Sequence, residues 1–458
     1  MTAPELEARA ALARHFGHAA FRPAQARVVR SVLAGHDVLA VLPTGGGKSV
    51  CFQVPALILS RFTLVVSPLI ALMQDQVAAA GSRGIPALSL AGPLPPSDIL
   101  GALDRIAAGA LRLLYVAPER LDRLADLLST RGLLPALIAV DEAHCIAEWG
   151  HDFRPAYRAI RRACERLGRP PVVALTGSAT PVVRDEIVTS LGLGVHDRPL
   201  DVHLASFDRK NLHFEVRPVR SEPERLDALL ALLAPRQSLV IVYAPTRRST
   251  EALASALRFA NHRAVAYHAG LGRDLRSERL ARFLADDLGV IVATSAFGMG
   301  IDKPDIRLVV HWALPPTPES YYQEAGRAGR DGRSARCVLL HRRADAAIHR
   351  RQLDVTFPAP RLVERIWAAR LPPARVPAAV RESAERLRAE LHPERGSVDW
   401  RPVMRRRRAA AQRISAMERS ARSRGCRRAR LLRWFGERIT SCAGCDGCDG
   451  RSPGWRSL

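Results

Sequence analysis

At 458 residues the chain is longer than one hydrophobic core supports, so two or three domains are expected. Its 69 basic residues against 45 acidic ones, a net charge of +24, point to a polyanionic partner, because neutralising phosphates releases counterions. The N-terminus has no basic-then-apolar leader and Arg61 breaks the longest apolar region, which excludes a membrane span and leaves a cytoplasmic protein as the expectation.

Residues 37–42, Asp-Val-Leu-Ala-Val-Leu, read as a buried strand that leads into Pro43-Thr-Gly-Gly-Gly-Lys-Ser49, a glycine-rich loop opening a helix. Backbone amides of Thr44, Gly45, Gly46 and Gly47 are placed to cradle a triphosphate, with Lys48 on its outer phosphates and the Ser49 hydroxyl on Mg²⁺. Leu42 stands where the strict form of this loop has its first glycine. Further short apolar runs at 64–67, 111–115, 136–140 and 172–175 alternate with helical patterns, which predicts a doubly wound parallel sheet with ligands at the strand carboxyl ends. The run at 136–140 ends on Asp141 and Glu142, a pair suited to holding the metal and to orienting or deprotonating an attacking water. Trp149, His151, Phe153 and Arg154 follow at once, aromatic faces and cations of the kind that stack on bases and pair with phosphates.

A Gly/Pro/Asp-bearing stretch at 191–199 reads as the start of a linker. A second alternating unit has strands at 238–243, 289–294, 307–312 and 337–341 and no phosphate loop of its own, which suits a partner closing over the first. Arg327 and Arg330 are spaced as if one helical turn apart, so both can face a cleft and stabilise a transferring phosphoryl group. From about 346 the strands stop, and 361–434 are predicted mostly helical with a break at Pro372-Pro373. Residues 401–430 hold twelve arginines against one acid, Glu418, which reads as a DNA-facing surface. Cys426, Cys442, Cys445 and Cys448 then offer four thiolates, three on a tight Gly/Asp turn, suited to structural Zn²⁺ with no open position; an iron–sulfur cluster is the chemical alternative. Cys51, Cys145, Cys164 and Cys337 are expected to be reduced core residues.

These ordered motifs resemble the RecQ family of superfamily 2 DNA helicases, and the resemblance runs from about Phe16 to Cys448. It rests on Phe21-Arg-Pro-Ala-Gln25, the loop at 43–49, Val66 to Gln76, Tyr115 to Arg120, Asp141-Glu-Ala-His144 with its aromatic loop, Ala174 to Thr180, Ala293 to Lys303 and Tyr322 to Asp331. It rests also on Cys426-Arg-Arg-Ala-Arg-Leu-Leu-Arg-Trp-Phe-Gly-Glu437. The resemblance implies two tandem RecA-like α/β domains of the P-loop class, at 1–205 and 206–345, and an Arg-rich helical zinc-binding region at 346–458. It implies ATP selected through Arg22 and Gln25, catalysis by Lys48, Asp141, Glu142, Arg327 and Arg330, and DNA contacts through the aromatic loop. Metal sites are implied at Ser49 and Asp141 for Mg²⁺ and at the four terminal cysteines for Zn²⁺.

The activity so implied is ATP-driven 3′-to-5′ movement on single-stranded DNA with unwinding of forked or junction duplexes, in repair and recombination, by a monomer. The chain ends ten residues after Cys448, so a short form without the winged-helix and HRDC domains is expected. Two rivals share the motifs: a DNA-stimulated translocase that leaves strands paired, and a zinc-bearing DNA-binding protein with no turnover.

Overall fold

A computed structural model describes the chain except residues 1, 44, 91, 93–94, 148–153, 196, 235–238, 296, 299–302, 394–395 and 450–458. The described residues form two compact units, one chiefly Met1–Arg209 with Leu432–Arg438, the other chiefly Lys210–Phe297 and Lys303–Leu431 with Ile439 onward. None of the described helices is long and apolar enough to cross a membrane.

The first unit is built on seven strands: β1 (Asp37–Val41), β2 (Thr63–Val66), β3 (Ala87–Leu90), β4 (Leu113–Val116), β5 (Leu137–Val140), β6 (Val172–Thr176) and β7 (Leu200–Leu204). They pair in the order β3-β4-β2-β5-β6-β1-β7, every pairing parallel. Parallel strands need crossover helices on both faces, so the inner strands are buried on each side and are apolar at almost every position. Leu39, Ala40, Val65, Leu113, Ala139 and Val173 are all buried in this way. The helix Val50–Ile58, which follows the glycine loop, buries Cys51 through Ala56 and is fixed against the sheet. The order sets the carboxyl ends of β4, β2, β5, β6 and β1 side by side along one edge of the sheet, where ligands bind in open α/β folds.

The second unit holds β8 (Leu212–Pro218), β9 (Leu239–Tyr243), β10 (Ala264–Tyr267), β11 (Val290–Ala293), β12 (Ile306–His311) and β13 (Ala335–His341). Their order is β10-β11-β9-β12-β13-β8, again all parallel. Helices Ala346–Thr356, Pro360–Trp367, Ala378–Leu391, Arg401–Arg422 and Arg427–Trp434 follow. Val363, Ala384, Leu387 and Val403 make a small core among them. The sequence reading of two parallel-sheet RecA-like domains followed by a cysteine-bearing helical module agrees with this architecture.

Candidate nucleotide and metal sites

The glycine loop leaves β1 and turns back tightly, with the Gly46 N–H donating to Pro43 O at 2.8 Å. Gly47 has φ +72, and a Cβ there would stand 2.3 Å from Gln25 Nε2; one on Gly46 would meet Pro43 O at 2.8 Å. Side chains are therefore excluded at both positions. Gln25 is buried rather than a surface amide, and its Nε2 donates to the carbonyls of Gly46 and Gly47, each at 3.2 Å. Arg22 Nη1 donates to Gly45 O. Both nucleotide-reading residues expected from the sequence thus lie on the loop, while Thr44 lies outside the described residues.

Lys48 Nζ reaches from the loop to Glu142 Oε1 at 3.1 Å. Glu142 sits just past β5 with φ +46 and ψ +47, a left-handed conformation that costs a non-glycine residue about 1–3 kcal/mol and is characteristic of functional sites. Burial pushes its carboxyl up, but Lys48 and the His144 ring pull harder, so it is held well below the usual carboxylate range. Asp141 beside it is pushed up to about 6, first by burial and then by the Glu142 charge. A cation at Asp141 would reverse that shift, so the donor set of a buried carboxylate and the Ser49 hydroxyl fits Mg²⁺.

His144 Nδ1 lies 3.3 Å from Glu142 Oε2 and 3.0 Å from Thr176 Oγ1 at the end of β6. Thr176 Oγ1 in turn accepts from the Ser178 N–H at 3.3 Å. A second chain runs from Ser49 Oγ to Gln76 Nε2 at 3.1 Å, from Gln76 Oε1 to Gln53 Nε2 at 2.8 Å, and from that amide to Tyr115 OH at 3.0 Å. Tyr157 OH donates to the Asp141 carbonyl at 3.0 Å and is fully buried.

Arg154 is half-buried, and its Nη1 donates to Pro68 O at 2.9 Å, tying the end of the aromatic loop to the segment after β2. Trp149, His151 and Phe153 lie outside the described residues. In the second unit the helix Pro318–Ala325 ends before Arg327 and Arg330, which sit in tight turns rather than one helical turn apart. Gly329 between them has φ +54, and a Cβ would stand 2.6 Å from both Arg333 O and Asn211 Nδ2. Arg327 is buried, hydrogen-bonds Tyr243, and shares with Arg330 the neighbourhood of that phenol.

The Sγ atoms of Cys426, Cys442, Cys445 and Cys448 all lie within 4.8 Å of one another. Cys445 Sγ is 3.7 Å from that of Cys442 and 3.8 Å from that of Cys426. Tetrahedral zinc with Zn–S bonds near 2.3 Å separates its sulfurs by about 3.8 Å, so the cluster fits the metal. The knuckle is pinned to β8: Cys445 bridges Phe214, the Asp446 N–H donates to Phe214 O at 3.1 Å, and the Val216 N–H donates to Asp446 Oδ2 at 3.1 Å. Arg427 grips the same Asp446 carboxylate with Nε at 2.9 Å and Nη2 at 3.1 Å.

The chain matches the DEAD/DEAH box helicase family over residues 22–187, the helicase conserved C-terminal domain over 223–332 and the RecQ zinc-binding family over 395–449. It is 42% identical over 345 residues to the ATP-dependent DNA helicase RecQ of Bacillus subtilis, covering 75% of this chain and 57% of that protein. Against the ATP-dependent DNA helicase RecQ of Haemophilus influenzae it is 35% identical over 434 residues, covering 94% and 62%.

The chain belongs to the RecQ family.

It spans about six-tenths of the length of these two RecQ relatives. The structure of Mycobacterium smegmatis helicase Lhr bound to ssDNA and AMP-PNP aligns over 92% of this chain and 57% of that one, with TM-score 0.55 and 23% identity, a likeness of fold. ATP use follows from the helicase domains of this RecQ-family chain, and zinc binding from its matched cysteine module.

The sequence placed His144, Thr176 and Gln76 within motifs but gave none of them its own role at the site, and it gave no sign of Gln53. His144 lies three residues past Asp141, a spacing that was there to be read. The Gln53–Gln76–Tyr115 chain joins positions far apart in sequence and gives no local signal. Part of the arginine-rich run is engaged within the fold. Arg406 pairs with Glu390, Arg407 with Asp354, Arg413 with Glu319 and Arg427 with Asp446, so a good part of that charge is structural.

Proposed function

We propose that this chain is an ATP-dependent DNA helicase that moves 3′ to 5′ on single-stranded DNA and separates forked or junction duplexes, acting in repair and recombination as a cytoplasmic monomer. The observation that carries the reading is the contact series from the glycine loop through Lys48, Glu142 and His144 to Thr176, which ties phosphate recognition to the segment after β6. Lys48 binds the outer phosphates. Glu142, ionised and aimed by Lys48 and His144, orients the attacking water and takes its proton. Ser49 and Asp141 would hold Mg²⁺, whose charge neutralises phosphate oxygens when bound. Arg327 and Arg330 supply positive charge to the transferring phosphoryl group. Trp149, His151 and Phe153 stack on bases, and Arg154 secures the loop that carries them.

Duplex contact is assigned to the helix Arg401–Arg422. Arg401, Arg405, Arg408, Gln412, Arg419 and Arg422 fall within about a 100° arc of it, and all are exposed. Val403, Ala409, Ile414, Met417 and Ala421 pack on the other side. Glu418 is engaged by Arg350 and Arg422, and Asp399 pairs with Arg401, which leaves Arg405, Arg408 and Arg419 as the cations of an outer face about 20 Å long. A forked-duplex unwinding assay with single-strand-stimulated ATPase as control tests the function. Unwinding that requires ATP is expected; DNA-stimulated hydrolysis without strand separation would reduce the protein to a translocase, and stimulation by RNA over DNA would reassign the substrate.

A further inference from the structure

The stretch between the first cysteine ligand, Cys426, and the second, Cys442, does more than join them. Within it Leu432–Arg438 groups with the first unit, whereas the residues on either side group with the second. Its contacts in the first unit converge on two short segments. Phe435 is fully buried, its ring stacks on Phe207 with centroids 4.4 Å apart and 11° between planes, and its carbonyl accepts from Arg184 Nη2 at 2.6 Å. The Glu437 carboxylate accepts from the Phe207 N–H at 2.7 Å and from the Ser206 hydroxyl at 2.5 Å. Gly436, at φ +81, passes so near Pro181 that a Cβ would stand 2.8 Å from its Cγ.

Both receiving segments are mechanically placed. Arg184 Nε also donates to Ala179 O at 3.1 Å, just before Thr180, whose hydroxyl accepts from the Val183 N–H and caps the helix Pro181–Leu191. Ala179 directly follows Ser178, where the contact series from Glu142 ends. Ser206 and Phe207 lie just past β7, two residues before the main span of the first unit closes at Arg209. One guanidinium and one carboxylate therefore hold the turn at 179–180 and the outgoing chain at 206–207 to the same three residues. Those three residues sit inside the loop that a metal on Cys426 and Cys442 closes, and closing a loop restricts the conformations open to it.

We propose that residues 435–437 are a clasp through which the cysteine module positions the 179–180 turn and the chain leaving the first unit, with Glu437 and Arg184 as positioning residues for DNA-stimulated hydrolysis. This rests on the helicase reading above. Removing the Glu437 carboxylate strips the Phe207 N–H and the Ser206 hydroxyl of a charged acceptor, while nucleotide contacts at Lys48 and Glu142 are untouched.

The test uses the full chain with Glu437→Ala and Glu437→Gln, the latter keeping a carbonyl acceptor. ATP turnover is measured with and without single-stranded DNA, together with zinc content and backbone hydrogen exchange at 179–184 and 206–208. In Glu437→Ala, DNA stimulation falls about tenfold, the worth of a charged hydrogen bond. Basal turnover and zinc content hold, exchange rises in both segments, and Glu437→Gln stays within about twofold of the parent. Unchanged stimulation despite faster exchange overturns the proposal, as does a parallel fall in basal and stimulated rates, which marks simple misfolding. If the parent chain hydrolyses no ATP with any oligonucleotide, the helicase reading has failed, and unchanged exchange in Glu437→Ala then overturns the clasp independently.

Discussion

Replacing Cys445 with serine strikes the most buried of the four thiols and the one that pins the knuckle to β8. Cys445 is 0% exposed, and the Cys426 thiol hydrogen-bonded to it holds its pKa down at about 4, so it is a ready thiolate for a cation. A structural zinc in a small cysteine module contributes roughly 10–16 kcal/mol of apparent folding free energy. A whole domain is stable by only about 5–15 kcal/mol. Losing one of four thiolates therefore removes as much as the module has to spare, and the β8 edge loses the Phe214–Cys445 bridge that covers it. Metal analysis should fall from one zinc per chain to below about a tenth, as expected of a module folded by its metal. Limited proteolysis should open the cysteine module around Ile439–Asp449, while the seven-stranded sheet of the first unit stays resistant. Retention of one zinc per chain, or an unchanged proteolytic pattern, refutes the reasoning.

Gly46→Ala should weaken ATP binding by about tenfold or more, because the added methyl meets the Pro43 carbonyl at 2.8 Å; equilibrium nucleotide binding reports it, and wild-type affinity contradicts the loop geometry. His144→Ala should lower kcat about tenfold with little change in KM for ATP, since it removes a group that aims Glu142 and leaves the phosphate cradle intact. The triple change Arg405→Gln, Arg408→Gln and Arg419→Gln removes three cations that form no ion pair among the described residues. At about 0.9 per phosphate contact, the slope of log affinity for duplex DNA against log salt should fall by about 3, with single-strand-stimulated hydrolysis retained. An unchanged slope would return this face to solvent.

The four strands that the sequence did not reveal, β3, β7, β8 and β10, are the four edges of the two sheets. Inner strands are covered on both faces and read as unbroken apolar runs, as at β1 and β6, where every position is buried. β7, Leu-Asp-Val-His-Leu, and β8, Leu-His-Phe-Glu-Val-Arg-Pro, have one flank open and mix charge with apolar residues, so they pass for linker. The site divides in the same manner. Lys48, Ser49, Asp141 and Glu142 were legible because their chemistry follows a strand end directly. Gln53, Gln76 and Thr176 act through contacts between segments brought together only by strand order. Charge misled in the opposite direction: twelve arginines at 401–430 look like one surface, yet Arg406, Arg413 and Arg428 are buried in the fold.

Turnover by Glu142→Gln beside the parent chain, with saturating ATP and an unpaired oligonucleotide, tests the central claim most directly. The parent should hydrolyse ATP faster on adding DNA, and the variant should lose about a hundredfold or more of that rate while still binding nucleotide. Equal turnover by both proteins would contradict the assignment of Glu142 as the group that activates water, and with it the proposed engine.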